Sequence, residues 1–262
     1  MMPPVDWDGP AQSPPGRLHP RLRRVAKGLG MSRARRRGLA RRIRRMTRPA
    51  WLGTAHGRTL PFSDFSGQDR GTPIDRVYIE QFLLAHRDAF RGRVLEVQNS
   101  QYTERFGTDV EAADILDVDP ANPRATILGD LGLPSSLPEA AFDCFVLTQT
   151  LQYIFDPKAA ALSAYRVLRP GGVLLATAPA VSKVDAKTPE LDCWRFTEVS
   201  CARLFEEAFG EGQVEVRSYG NAICAAAFLL GMAAEDLRPA HLELDDERFP
   251  VIIAVRAVRP SD

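Results

Sequence analysis

Residues 173–178 read Val-Leu-Leu-Ala-Thr-Ala, apolar at nearly every position, and follow Pro170-Gly171-Gly172. A strand with one wet face alternates apolar and polar residues. A strand without alternation is covered on both faces, as in a parallel sheet sandwiched by helices. This run therefore asks for helices above and below a sheet, and the flanking chain supplies them. Asp156-Pro157 opens a helix whose Ala161, Leu162, Tyr165 and Leu168 share one face, and Pro170-Gly171-Gly172 ends it.

The alternation extends in both directions. Thr72 as N-cap, Pro73 at the first position and Asp75 in the first turn predict a helix over 73–88, with Ile74, Val77, Tyr78, Phe82 and Ala85 at helical spacing. Strands are predicted at 93–97, 113–118, 125–128, 142–148, 173–178, 214–218 and 251–257. Helices are predicted at 199–209 and 222–237. Strand–helix alternation on this scale predicts an α/β fold: a doubly wound, mostly parallel seven-stranded sheet with helices on both faces.

The charge is divided. Residues 1–50 hold fourteen Lys/Arg against two Asp, although the whole 262-residue chain has a formal net charge of +1. We therefore expect two parts: an Arg-rich extension over 1–69, disordered or short-helical, and a folded domain over 70–258. Residues 1–20 are rich in Pro and Gly and predict no fixed structure. Beyond them Leu22, Val25 and Leu29, and then Leu39 and Ile43, fall at helical spacing among the arginines. Such a tract suits an anionic membrane surface or an acidic partner, or is a solvated tail. It lacks the aromatic residues that stack on single-stranded nucleic acid, so a nucleic-acid partner is not expected. No apolar run reaches the roughly 18–20 residues that span a bilayer. No signal-peptide pattern opens the chain, so a cytoplasmic location is expected, with peripheral contact at the inner membrane face as an option. Cys144, Cys193, Cys201 and Cys224 form no C-x-x-C pair, which predicts reduced thiols and no metal site.

In an open α/β sheet, ligands sit at the carboxyl ends of the strands, near the point where strand order reverses. The loops to read are 98–101, 119–120, 129–131 and 149–155. No G-x-G-x-x-G follows the first strand and no P-loop is present, so dinucleotide binding by the usual Gly-rich turn is unsupported. Asp119 lies where an acid bonding ribose hydroxyls is expected, and Asp130 can accept from an exocyclic amine. An Asp at a strand end also commonly serves a turn. Residues 94–156 hold eleven Asp/Glu and two Arg. A pocket in that field favours a cation, such as a sulfonium nucleoside, over a nucleotide triphosphate.

The segments RVLEV (93–97), FDCFVLTQTLQYIFDP (142–157) and YRVLRPGGVLLATAP (165–179) together resemble class I S-adenosylmethionine-dependent methyltransferases of the bacterial type 11 family. The stretches DRGTPIDRVYIEQFL and DCWRFT resemble a subgroup associated with glycosyltransferases. The resemblance covers about residues 70–258 and implies a Rossmann-like methyltransferase fold with S-adenosylmethionine as cofactor. It implies Glu96 near the methionine part, the loop of Gln98, Asn99, Ser100 and Gln101 beneath methionine and ribose, and Asp119 on the ribose. It implies Asp130 and the Leu131 backbone at the adenine, and Gln149 and Gln152 on the acceptor side of the cleft. One departure stands out: the family usually has Gly-x-Gly where this chain has Gln98-Asn99-Ser100.

The function implied is methyl transfer to a small molecule or glycan, on oxygen. A hydroxyl acceptor calls for a base. Tyr153 and Asp192 are the candidates, because His19, His56, His86 and His241 all fall outside the strand-end loops. Trp194 and Phe196 suit either a sugar or aromatic wall or the core. The alternative function is a non-catalytic methyltransferase-like module that binds a partner, a glycosyltransferase or an anionic membrane, through residues 17–48.

Overall fold

A computed structural model describes residues 32–47 and 59–261. The expectations for 1–20 and for Leu22, Val25 and Leu29 lie outside the described residues. Two compact units are present. One comprises residues 78–219 and 250–261 and contains the whole sheet; the other comprises 32–47, 59–77 and 220–249.

In the first unit the strands are β1 (Arg91–Val97), β2 (Asp109–Asp117), β3 (Ile127–Leu128), β4 (Phe142–Thr148), β5 (Leu168–Pro179), β6 (Val214–Tyr219) and β7 (Ile252–Val258). Their order across the sheet is β3-β2-β1-β4-β5-β7-β6. Strands β1 to β5 pair in parallel, and β7 runs antiparallel between β5 and β6. The chain lays β2 and β3 to one side of β1, then crosses back to lay β4 and β5 on the other. The reversal therefore lies between β1 and β4, where Val94 opposes Cys144 and Glu96 opposes Val146.

Burial on both faces follows from the sequence of β4. Phe145 and Leu147 enter one cluster with Leu174, Ala176, Ile253 and Val255, while Cys144 and Val146, pointing the other way, are equally inaccessible. Each large apolar side chain hidden this way contributes roughly 1.5–3 kcal/mol. The first cluster is closed by Ala160, Ala161, Ala164 and Val167 and by Cys201, Leu204, Phe205 and Phe209. These come from two helices, Pro157–Val167 and Glu198–Phe209, held by the expected kind of caps. Asp156 accepts from the Lys158 and Ala159 amides, and Thr197 accepts from the Ser200 amide.

Several boundaries differ from expectation for local reasons. The helix predicted at 73–88 runs Ile74–Ala85, because the Thr72 hydroxyl bonds Glu235 instead of capping it. The helix before Pro170-Gly171-Gly172 ends earlier, at Val167. Those three residues start β5, with Gly171 at φ +77° and the flanking backbone paired to Arg259. The helix predicted at 222–237 stops at Leu229. Gly231 sits at φ +68°, and a Cβ there would lie 2.0 Å from the Ser63 carbonyl oxygen, so the turn that ends the helix admits only glycine. A short helix at Gln101–Phe106 was not predicted.

The second unit carries a helix over Arg33–Thr47 and a buried Arg70–Asp236 ion pair. Arg70 makes two bonds to Asp236, of 2.8 and 3.0 Å, and its carbonyl accepts from Arg45. No helix among the described residues is long and apolar enough to cross a membrane. The four cysteines are free thiols, three buried and Cys193 exposed. No metal-binding group of His, Cys, Asp and Glu occurs among the described residues.

Candidate active site

At the carboxyl ends of β1, β2 and β4 lies a cleft open to solvent, bounded by Val97, Gln98, Asp117, Asp130, Leu131 and Tyr153 among others. Its acidic lining side chains are Asp117 and Asp130, and no Arg or Lys lines it. The remaining wall is largely apolar, with Leu116, Val118 and Ile154. Such a lining suits an apolar base and a cationic centre and does not suit phosphate.

The loop after β1 is set by backbone geometry. Gln98 takes φ +68°, the left-handed position that a glycine would fill. Its amide donates to the Leu116 carbonyl at 2.8 Å, and its carbonyl accepts from Asn122 Nδ2 at 3.0 Å. The left-handed residue of this loop is Gln98. Asn99 is buried, and its side chain accepts from the Gln101 amide at 3.1 Å. Gln98 lines the cleft; Asn99 supports the turn beneath it.

Glu96 lies behind the cleft rather than in its lining. It is buried and accepts from the Tyr102 amide (3.1 Å), the Thr103 amide (2.8 Å) and the Thr103 hydroxyl (2.8 Å). It ties the end of β1 to the first turn of the Gln101–Phe106 helix. Burial pushes its carboxyl up to about 7, against the lowering effect of those bonds.

Of the two acids at the end of β2, Asp117 is buried and lines the cleft. Its Oδ1 accepts from the Asp119 amide at 3.0 Å and its Oδ2 from Asn122 at 2.7 Å. Asp119 is outside the lining, and its carboxylate accepts from the Ala121 amide at 2.8 Å, closing an Asx turn. The sequence spacing pointed to Asp119; the β2 end residue at the cleft is two positions earlier. Asp130 and Leu131 do line the cleft, with Asp130 Oδ1 accepting from the Gly132 amide at 2.7 Å.

On the β4 side, Thr150, Tyr153 and Ile154 reach the cleft. Gln149, at φ +48°, and Gln152 are buried beside them and not in the lining. The two are linked through Gln152 Nε2 and the Gln149 carbonyl at 2.9 Å. Gln149 Nε2, Gln152 Oε1 and Thr177 Oγ1 are buried with no hydrogen-bond partner in the protein. Leaving such atoms unmatched costs on the order of 1–3 kcal/mol each.

Neither base candidate has the expected character. Tyr153 donates its hydroxyl to Asp185 at 3.1 Å. Burial and the Asp185 charge hold the phenol well above its ordinary range, so it stays protonated. Asp192 is not at the cleft. Burial works to raise its carboxyl, but the Arg195 fork and the Asp185 amide outweigh this and hold it below the usual range. Asp185, which spacing gave no means of finding, is the acid that meets a cleft residue. Phe196 is core. Trp194 is half-exposed, donates to the Ile154 carbonyl at 3.1 Å and lies 6.3 Å from Phe155, which is 80% exposed.

Residues 91–176, about a third of the chain, match the type 11 family model described as methyltransferase domain. The match supports the class I methyltransferase family. It supports S-adenosylmethionine as the cofactor of the methyltransferase domain as well, and every residue lining the cleft falls within the matched segment. Among solved structures, one similar chain is a SAM-dependent methyltransferase from Archaeoglobus fulgidus, at 10% identity and TM-score 0.45, covering 70% of this chain and 94% of that one. A second is the N-methyltransferase NodS from Bradyrhizobium japonicum, at 16% identity and TM-score 0.45, covering 72% and 98%. A third is the [4+2]-cyclase SpnF, at 18% and 0.46, covering 74% and 84%. No curated relative matches the methyltransferase domain or the rest of the chain in sequence.

Proposed function

We propose that the chain transfers a methyl group from S-adenosylmethionine to a hydroxyl of a small molecule or glycan, with residues 70–258 as the catalytic domain and 1–69 as an extension. The observation that carries this is the acid-lined cleft at the strand-order reversal, inside the segment that matches the methyltransferase model. The cofactor supplies an electrophilic methyl on a sulfonium. Within this reading Asp117 takes the ribose hydroxyls, in place of Asp119. Asp130 and the Leu131 backbone take the adenine edge, and the Gln98 turn sets the floor under the methionine. The apolar wall of Leu116, Val118 and Ile154 keeps water from the base.

The acceptor lies on the β4 and β5 side. Phe155 and Trp194 offer aromatic surface near Ile154, which suits a sugar face. The acceptor hydroxyl donates to the Tyr153 oxygen while Tyr153 donates to Asp185; as the methyl transfers, the acceptor's proton moves to Tyr153 and Tyr153 passes its own to Asp185. Alignment of the acceptor oxygen with the methyl, about 3–3.5 Å away, is the main catalytic demand. Residues 17–48 serve as a docking arm for a negatively charged partner, either a glycosyltransferase or an anionic membrane.

Calorimetry with S-adenosylmethionine and its demethylated product tests the cofactor half. Binding of both is expected. Asp117→Asn should weaken both by about 10–100-fold, the worth of a hydrogen bond to a charged group, while Asp119→Asn changes them less than about threefold. No heat at millimolar ligand would end the reading. Equal losses in the two variants would return the ribose to Asp119.

A further inference from the structure

We infer that the helix Arg33–Thr47 is an interfacial anchor for an anionic lipid surface. It reads RARRRGLARRIRRMT and contains eight arginines and no acidic residue. Around it, residues 17–48 hold fourteen Arg/Lys and no Asp or Glu. At 100° per residue Leu39, Ile43 and Met46 fall on one narrow stripe, flanked by Arg35 and Arg36, with Arg42 beyond Met46. An apolar stripe on a soluble helix is normally buried against its own fold. Here Met46 is 75% exposed and Leu39 38%, while Ile43 is half-buried, and Arg35, Arg37 and Arg42 are exposed.

Exposed cations, Arg35 and Arg42, and an exposed apolar edge, Met46 with part of Leu39, thus lie together on a helix that carries no acid. A bilayer of anionic lipid meets both, with headgroups for the arginines and the acyl boundary for Leu39 and Met46. A nucleic acid would take the charge and leave the stripe wet, and the helix offers no aromatic residue for base stacking. Mean hydropathy is low and the helix is short, so it lies on the surface and does not span. The inference selects the membrane from the two partners considered for the arm. It does not rest on the methyltransferase reading: cofactor binding is measured separately and can fail without it.

The test is flotation of the full chain with vesicles of phosphatidylcholine alone or with 30 mol% phosphatidylglycerol, at low salt and at about 0.5 M salt. Binding is expected only to the anionic vesicles and should fall steeply with salt. Arg35→Glu with Arg42→Glu should weaken it on the order of thirtyfold or more, at about a factor of five per lost cation. Leu39→Ser with Met46→Ser should weaken it at least tenfold at unchanged charge. These four residues are exposed, and unchanged far-ultraviolet circular dichroism with an unchanged thermal unfolding midpoint confirms that each variant is folded. Full binding by the serine variant would overturn the anchor in favour of plain polycation attraction. Retention by a DNA duplex together with none by anionic vesicles would overturn the lipid partner altogether.

Discussion

Gln98 shows how a single position decides whether the site can form. Its φ of +68° lies where an L-residue is disfavoured by roughly 1–2 kcal/mol. Its backbone is pinned there by the Leu116 carbonyl on one side and Asn122 on the other. Composition alone cannot reveal this, because a sequence records the missing glycine and not the two bonds that hold the turn without it. Gln98→Gly removes the left-handed penalty and adds about 0.5–1 kcal/mol of unfolded-state freedom. Urea denaturation should therefore show a change within about 1 kcal/mol, leaning towards greater stability. Affinity for S-adenosylmethionine should stay within about threefold, since the turn and not the amide side chain is the requirement. A loss beyond tenfold would mean that the Gln98 side chain itself holds the cofactor. That Asp117 and not Asp119 lines the cleft has a similar origin. Spacing counts residues from β1, but the Asx turn at Asp119 depends on where β2 ends, a boundary that sequence patterns resolve poorly.

At the scale of elements, strand cores were legible and their couplings were not. β4 was predicted at its observed bounds, because Phe142, Phe145, Val146, Leu147 and Thr148 put apolar, aromatic and β-branched residues at most of its positions. The Gln101–Phe106 helix was missed, because six residues carry too short a period and its start is fixed by Glu96, a residue of another element. That coupling is ionisable. The Glu96 carboxyl is raised by burial from the ordinary 4.5 to about 7. An acid whose folded value lies above its unfolded value contributes stability that is complete below about 4.5 and lost as pH rises through about 7. The full loss approaches about 3 kcal/mol at about 1.4 kcal/mol per pH unit. Wild type should therefore decline in unfolding free energy between pH 5 and 8. Glu96→Gln, which cannot ionise but loses part of its acceptor capacity, should start lower and decline less. Parallel curves for the two proteins would show that Glu96 does not titrate in this window.

On the scale of the whole molecule, the charge division has a consequence for the cofactor. The first fifty residues carry fourteen Lys/Arg against two Asp, so the remaining chain has an excess of acid. All the lining residues of the cleft lie between Val97 and Ile154, within one compact unit, and none comes from the basic segment. Removing residues 1–48 deletes the basic field and leaves the lining intact, at the cost of the helix's contacts, among them the Arg45 bond to the Arg70 carbonyl, worth about 1 kcal/mol. At 0.15 M salt, where charges more than about 8 Å apart are screened, the truncated chain should bind S-adenosylmethionine within about twofold of the full chain. At 0.01 M salt the screening length grows to about 30 Å, and the exposed acidic field should act on the ligand's charge. The sulfonium cofactor should then gain affinity relative to its demethylated product, which has lost that charge, and the gain should vanish as salt is restored. Calorimetry of both ligands at the two salt concentrations checks this. A fall in affinity for both ligands at both salts would mean that the N-terminal segment belongs to the cofactor site.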